Sequence, residues 1–296
     1  MPNASNLVPD SNVSILLKSP FGMGKTIAAC SMAVDGPIWM GYWDKKQPIE
    51  LLNFYKKFRP DVLKNITYEI YGSHNAHEYL NKLIGFISNC PYVGIVTDSV
   101  TFMTAGAVNW SMGFRDSTKG GKKDKLNKDA AQMIPDFDEY KVETSLVTQA
   151  LDICKSLPCH NIWTAHPLPT IKIEGSGASI KVTKQNSIVS YGQKVGAIVP
   201  GGFNEIYHLT AKTDYSTNPP YEQRVVITND IGDDFARSSL GLPRELDISN
   251  KLFWEVWKVA ANKRLAELQS LGEVKNNNEV NPFQNSDQND SRQWRV

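Results

Sequence analysis

The strongest constraint on this chain is a short junction near its start. An apolar run, Val13–Leu17, leads at once into Ser19-Pro20-Phe21-Gly22-Met23-Gly24-Lys25-Thr26, and then into Ile27 and the helix-forming AACSMAV. Two closely spaced glycines let the backbone curl so that several N–H groups converge on one point. The helix that follows adds the positive end of its dipole. The segment fits the GxxxxGK[ST] pattern, with Ser19 standing where the first glycine is usual. It predicts a phosphate-binding loop made by Ser19, Pro20, Phe21, Gly22, Met23, Gly24, Lys25, Thr26 and Ile27. In that loop Lys25 bridges the β- and γ-phosphates of ATP, and the Thr26 hydroxyl is a ligand for Mg²⁺.

A loop of this kind works only between a buried strand and a helix, and the rest of the chain agrees. Pro37–Trp43 is a second apolar run, ending at Asp44, and Val93–Thr97 is a third, ending at Asp98. A fourth, His160–Ala165, ends at His166. Between them lie helical stretches. Residues 48–58 carry Ile49, Leu52, Tyr55 and Phe58 at one spacing, residues 76–89 carry Tyr79, Leu80, Leu83, Phe86 and Ile87, and 135–157 is a long amphipathic helix. Short apolar strands alternating with helices predict an α/β fold with a mainly parallel sheet flanked by helices. Right-handed crossovers then put the strand C-terminal ends, and the loops after them, along one edge.

The pattern changes after residue 166. Residues 170–174 and 179–183 alternate apolar and polar around Gly-Ser-Gly-Ala, which predicts a β-hairpin. Two more strands are expected at Glu205–Ala211 and Gln223–Thr228. A last helix is expected from a Ser249 cap to about Leu271, burying Leu252, Phe253, Val256 and Trp257. The expected organisation is a flexible leader (1–12), an ATPase core (13–248), a C-terminal helix (249–272) and a disordered Asn/Gln-rich tail (273–296).

Composition narrows the class further. The chain has 296 residues, 41% hydrophobic and 21% charged, enough for one large core without global disorder. Its formal charge of +1 removes the argument from a uniformly basic chain, though not from local basic patches. No 18-residue apolar run is present and the start lacks signal-peptide order, so no membrane partner and a cytoplasmic location are expected. Cys30, Cys90, Cys154 and Cys159 form no CxxC pair and read as reduced core residues. His74 and His77 read as surface loop residues.

The carboxylate for the metal's water shell comes from the third run. Asp98 at the end of an apolar strand, some 70 residues past the phosphate loop, is the expected partner of Thr26. The order of these motifs resembles the RecA/RadA group of recombination ATPases. Asp44 matches the place where that group has a catalytic carboxylate that polarises the attacking water, commonly a glutamate. Asp98-Ser99 is similar to the group's Walker B Asp-Ser pair. His166, after Trp163-Thr164-Ala165, falls where the group senses the γ-phosphate. This ending, with Phe235-Ala236-Arg237 and Leu240-Gly241-Leu242-Pro243 downstream, resembles the small bacteriophage branch associated with single-strand annealing. The resemblance covers about residues 13–245. It implies a RecA-like core, with Lys25, Asp44, Asp98 and His166 as catalytic residues and ATP and Mg²⁺ as cofactors. It also implies a homo-oligomer, ring or filament, with Lys194 or Arg237 reaching a neighbour's γ-phosphate.

Single-stranded DNA is the implied partner, alongside a single-strand binding protein or another replication or recombination factor. Residues 115–128 hold six basic residues (Arg115, Lys119, Lys122, Lys123, Lys125, Lys128) against two acidic ones. Read as directly following the Asp98 strand, they are placed at the catalytic edge, where the group has its first DNA-binding loop. Lysines on such a loop neutralise phosphates without reading bases. A second candidate follows His166, with Lys172, Lys181 and Lys184. The rival readings are a DNA-translocating motor (helicase or packaging ATPase) and a non-catalytic nucleotide-dependent loader or scaffold. Ser99 speaks against the motor, which usually carries an acidic residue after the Walker B aspartate.

Overall fold

The computed structural model describes residues 12–44, 46–113, 135, 137–174, 181–216, 218–229 and 236–278. In chain order, β1 (Ser14–Lys18) leads through the glycine loop to α1 (Lys25–Cys30) and a 3-10 turn (Ser31–Val34). Then follow β2 (Ile38–Tyr42), α2 (Ile49–Phe58), α3 (Pro60–Leu63), β3 (Ile66–Ile70), α4 (Ala76–Ser88), β4 (Gly94–Asp98) and α5 (Val100–Met112). Next come α6 (Phe137–Ser156), β5 (His160–Ala165), the hairpin β6 (Pro167–Glu174) and β7 (Lys181–Ile188), and α7 (Gln193–Gly201). The chain continues with β8 (Glu205–Asp214), β9 (Tyr221–Ile227), β10 (Arg237–Ser238), β11 (Glu245–Asp247) and α8 (Phe253–Asn278).

The main sheet runs β11-β9-β8-β1-β5-β4-β2-β3, with β10 on β8. Pairings from β8 through β1, β5, β4 and β2 to β3 are parallel, and those of β9, β10 and β11 are antiparallel. The expected α/β architecture with a mostly parallel central sheet therefore holds. Every residue of β2 and β4 is buried, because helices cover both faces. Period-two alternation splits the core in two. Ile15 and Leu17 pack with α1, α2 and α8, whereas Leu16 packs with α4, α5 and α6.

The last helix is fixed by polar contacts as well as burial. The Trp254 amide donates to Ser31 Oγ (2.9 Å) and its indole to Asp35 Oδ2 (2.7 Å). Trp257 Nε1 donates to the Tyr207 hydroxyl (2.9 Å), which donates to buried Glu205 (2.5 Å). Ser239 Oγ and the Leu240 amide also donate to Glu205, at 2.5 and 3.1 Å, so this carboxylate ties the antiparallel edge together. Among the described residues, no helix is long and apolar enough to cross a membrane.

Four expectations need correction. On α2 the buried residues are Leu51 and Tyr55, while Ile49 and Phe58 are 57% and 58% exposed. Phe58 lines one cleft beside the glycine loop and Ile49 lines another, so these side chains are not covered by the core. On α4, Tyr79, Leu83 and Phe86 face inward but Ile87, about 100° further round the helix, is 55% exposed. Ser249 is no helix cap: its hydroxyl donates to Asp247 (2.6 Å) and accepts the Arg224 amide (3.0 Å), and α8 starts at Phe253 and runs on to Asn278. Finally, residues 115–128 do not directly follow the Asp98 strand. The 13-residue α5 intervenes and, at ~1.5 Å per residue, carries the chain roughly 20 Å from Asp98.

Candidate functional site

The site forms where β1, β5, β4 and β2 end side by side. The Ser19 amide donates to the Ala165 carbonyl (3.2 Å), which lays the start of the glycine loop across the end of β5. Gly22 and Gly24 have φ of +75° and +83°, a conformation that strains any residue with a Cβ. Ser19, in the unusual first position, turns its hydroxyl to the neighbouring Pro20 carbonyl (2.9 Å). No side chain caps the first turn of α1, so its leading amides face the cleft without a side-chain partner.

Lys25 is buried at the base of the loop, and its Nζ donates to His166 Nδ1 (3.3 Å). An ammonium has no acceptor site, so Nδ1 accepts and the imidazole proton sits on Nε2. Phe21 stacks on the His166 ring at 3.7 Å between centroids, and Lys25 lies 5.6 Å from the same phenyl ring. Desolvation pulls the Lys25 pKa down from its ordinary value, and the charges of Asp98 and Asp44 oppose this. Burial, reinforced by the Lys25 charge, lowers His166 to about 4, so its imidazole is neutral at physiological pH.

Both oxygens of the buried Asp98 carboxylate are held. Thr26 Oγ1 donates to Oδ2 (2.7 Å) and Thr164 Oγ1 donates to Oδ1. Desolvation raises the Asp98 pKa, opposed by these two hydrogen bonds and by Lys25. The Asp98–Ser99 peptide is cis. Asp44 is half-buried two residues beyond β2, and the neighbouring Trp43 amide donates to the Asp98 carbonyl (2.7 Å). Lys25, Thr26, Asp44, Asp98, Phe102 and His166 thus line one cleft of about 530 Å³. Lys25, Asp44, Asp98 and His166, up to 141 positions apart in the chain, are brought together here.

These donors fit a hard divalent cation. A threonine hydroxyl and one carboxylate, 2.7 Å apart, make the sparse oxygen set that Mg²⁺ takes when phosphate and water complete its octahedron. A desolvated carboxylate also gains most from a cation beside it. Among the described residues no cluster of three or more His, Cys, Asp or Glu assembles, so a cage made wholly of protein ligands is not formed there. When bound, Mg²⁺ would neutralise charge on the phosphate oxygens.

Sequence reasoning missed several participants. Thr101, whose hydroxyl accepts the His166 amide (3.1 Å), carries no motif, and Thr164 stands in the Trp163-Thr164-Ala165 ending without an expected role of its own. Arg224 of β9 is also unmarked, yet its guanidinium approaches Gly24: a Cβ there would lie 3.3 Å from Nη1. The predicted trans-acting residues do not line this chain's own cleft. Arg237 donates to the Pro200 (3.3 Å) and Phe203 carbonyls, and Lys194 lines a separate groove with Tyr140 and Tyr191. Arg115, Lys119, Lys122, Lys123, Lys125 and Lys128 lie outside the described residues. Lys172, Lys181 and Lys184 lie on the hairpin, whose register pairs Ile171 with Lys184 and Glu174 with Lys181, and their side chains are outside the described part. That hairpin leaves directly from the site, since the Val189 amide donates to the His166 carbonyl (2.8 Å). His77 stacks on Trp110 at 5.5 Å, and all four cysteines are free thiols, with Cys90 and Cys159 sulfurs 3.7 Å apart. Against known proteins, the chain matches no protein-family model and no curated protein.

Proposed function

We propose that this chain is a RecA-like P-loop ATPase that binds Mg·ATP, hydrolyses it, and acts on single-stranded DNA as a ring or filament. The observation that carries the reading is the meeting of Lys25, Asp44, Asp98 and His166 in one cleft beside a loop with two left-handed glycines. Its chemistry is in-line attack of water on the γ-phosphate. Asp44, half-buried on the rim, orients the water. Lys25 leaves His166 to contact the β- and γ-phosphate oxygens, and the Nε2–H of the neutral His166 is left to donate to the terminal phosphate. Thr26 and Thr164 hold the Asp98 carboxylate still, so that no reorganisation is needed there.

The DNA part of the reading is supported by connectivity. The β6–β7 hairpin begins one residue after His166 and returns to its carbonyl, so a strand bound on the hairpin is linked to the γ-phosphate contact through one backbone. Residues 115–128 lie outside the described residues, and the intervening α5 removes the argument that they directly follow the Asp98 strand. Phosphate release measured with and without single-stranded DNA, with annealing of complementary strands followed alongside, tests the proposal. DNA-stimulated turnover with annealing is expected. Directional unwinding would point to a motor, and nucleotide binding without turnover to a loader.

A further inference from the structure

A second cleft, of about 450 Å³, opens on the other flank of the phosphate loop and shares Gly24 and Ile27 with the first. Its walls include Phe54 and Phe58 of α2, Arg224 of β9 and the turn at 248–252. Three observations set it apart from an ordinary surface hollow. Phe58 is largely exposed although it is a large apolar residue, and it leans on Phe54 at 5.2 Å between ring centroids. The other arginine of the cleft, Arg59, is occupied by Asp61 and Glu255, both at 3.0 Å. Arg224 makes no ion pair with any described residue, yet its guanidinium is set over Gly24, and its backbone is fixed by Ser249 and Ile248.

A cation poised over the left-handed Gly24, with no ion-pair partner among the described residues, is a place for an anion. Lys25, Asp98 and His166 all lie on the first flank, so a terminal phosphate belongs there. A phosphate chain crossing the loop at Gly24 delivers the rest of its ligand to the second flank. We infer that the second cleft takes the nucleoside: its planar base stacks on Phe58, and Arg224 contacts the phosphate nearest the ribose from within the same chain. The inference rests on the nucleotide-binding reading of the first cleft, and it names the recognised ligand as a nucleoside triphosphate rather than any polyphosphate. Base–aromatic stacking is tolerant of base identity, so this cleft favours the nucleoside as a class.

The experiment is calorimetric titration of the full chain with ATP and, separately, with inorganic triphosphate, both with Mg²⁺. The variants are Phe58→Ala, Arg224→Ala and Arg224→Lys, at exposed positions, with thermal melting to confirm folding. ATP should bind the wild type more tightly than triphosphate does. Phe58→Ala should weaken ATP about tenfold and leave triphosphate unchanged. Arg224→Ala should weaken both about tenfold, with partial recovery in Arg224→Lys. Wild-type ATP affinity in both Phe58→Ala and Arg224→Ala would overturn this inference and leave the phosphate loop intact. Failure of the wild type to bind ATP at all would overturn both.

Discussion

The two flanks of the glycine loop differ in how far their side chains are already bonded to one another. On the first, Thr26, Thr164 and Asp98 are already bonded to one another, Lys25 is parked on His166, and Phe21 covers the imidazole. On the second, the walls are aromatic and open, and Arg224 has no ion-pair partner among the described residues. The difference separates two tasks. Groups that act on a transition state must be held in advance, because reorganising them costs rate. Groups that grip the remainder of a ligand need only be within reach, and open aromatic surface serves them.

Four substitutions separate the two flanks. Lys25→Ala should have the largest effect, weakening Mg·ATP binding and turnover by about 10²–10³-fold, far beyond any change on the second flank. Asp44→Asn should lower turnover by about 10²-fold and leave ATP affinity unchanged, since orienting water matters only in the chemical step. Asp98→Asn should raise the melting temperature of the nucleotide-free protein by roughly 2–4 °C, the equivalent of about 1 kcal/mol. Burial raises the folded pKa of Asp98, so the ionised carboxylate costs stability as pH rises through that value, and the amide removes the cost. A drop in melting temperature would show that its two threonine bonds outweigh desolvation.

The smallest effect concerns His166. Its folded pKa, near 4, lies below the ordinary histidine value, so the unfolded chain takes up a proton first as pH falls. The stability this group contributes is present above about pH 6.5 and is lost as pH falls towards 4. His166→Gln should therefore flatten the melting temperature across that window. An unchanged slope would mean that the imidazole is not held neutral by Lys25 and burial.

Much of the first flank was legible because its residues are constrained by backbone geometry. Glycines at positive φ, a lysine–threonine pair opening a helix, and carboxylates ending apolar strands leave marks in spacing. The sheet was legible for a related reason: strands buried on both faces read as unbroken apolar runs. The second flank left no such mark. Phe58 shares a helical spacing with buried Tyr55 yet is exposed, and Arg224 lies on a strand far from any motif. Only the tertiary arrangement brings β9 to Gly24. The helix that follows Asp98 is hard to foresee because Val100–Met112 is uncharged on all sides, so periodicity does not announce it. Ser249 was an ambiguous signal, as the same hydroxyl serves a turn as readily as a helix cap.

The central claim is that this loop and its four partners bind and split ATP. Phosphate release from Mg·ATP by the wild type and by Lys25→Ala, on matched folded samples, tests it most directly. Steady release by the wild type and its loss in the variant are predicted. Release by Lys25→Ala at the wild-type rate would contradict the account.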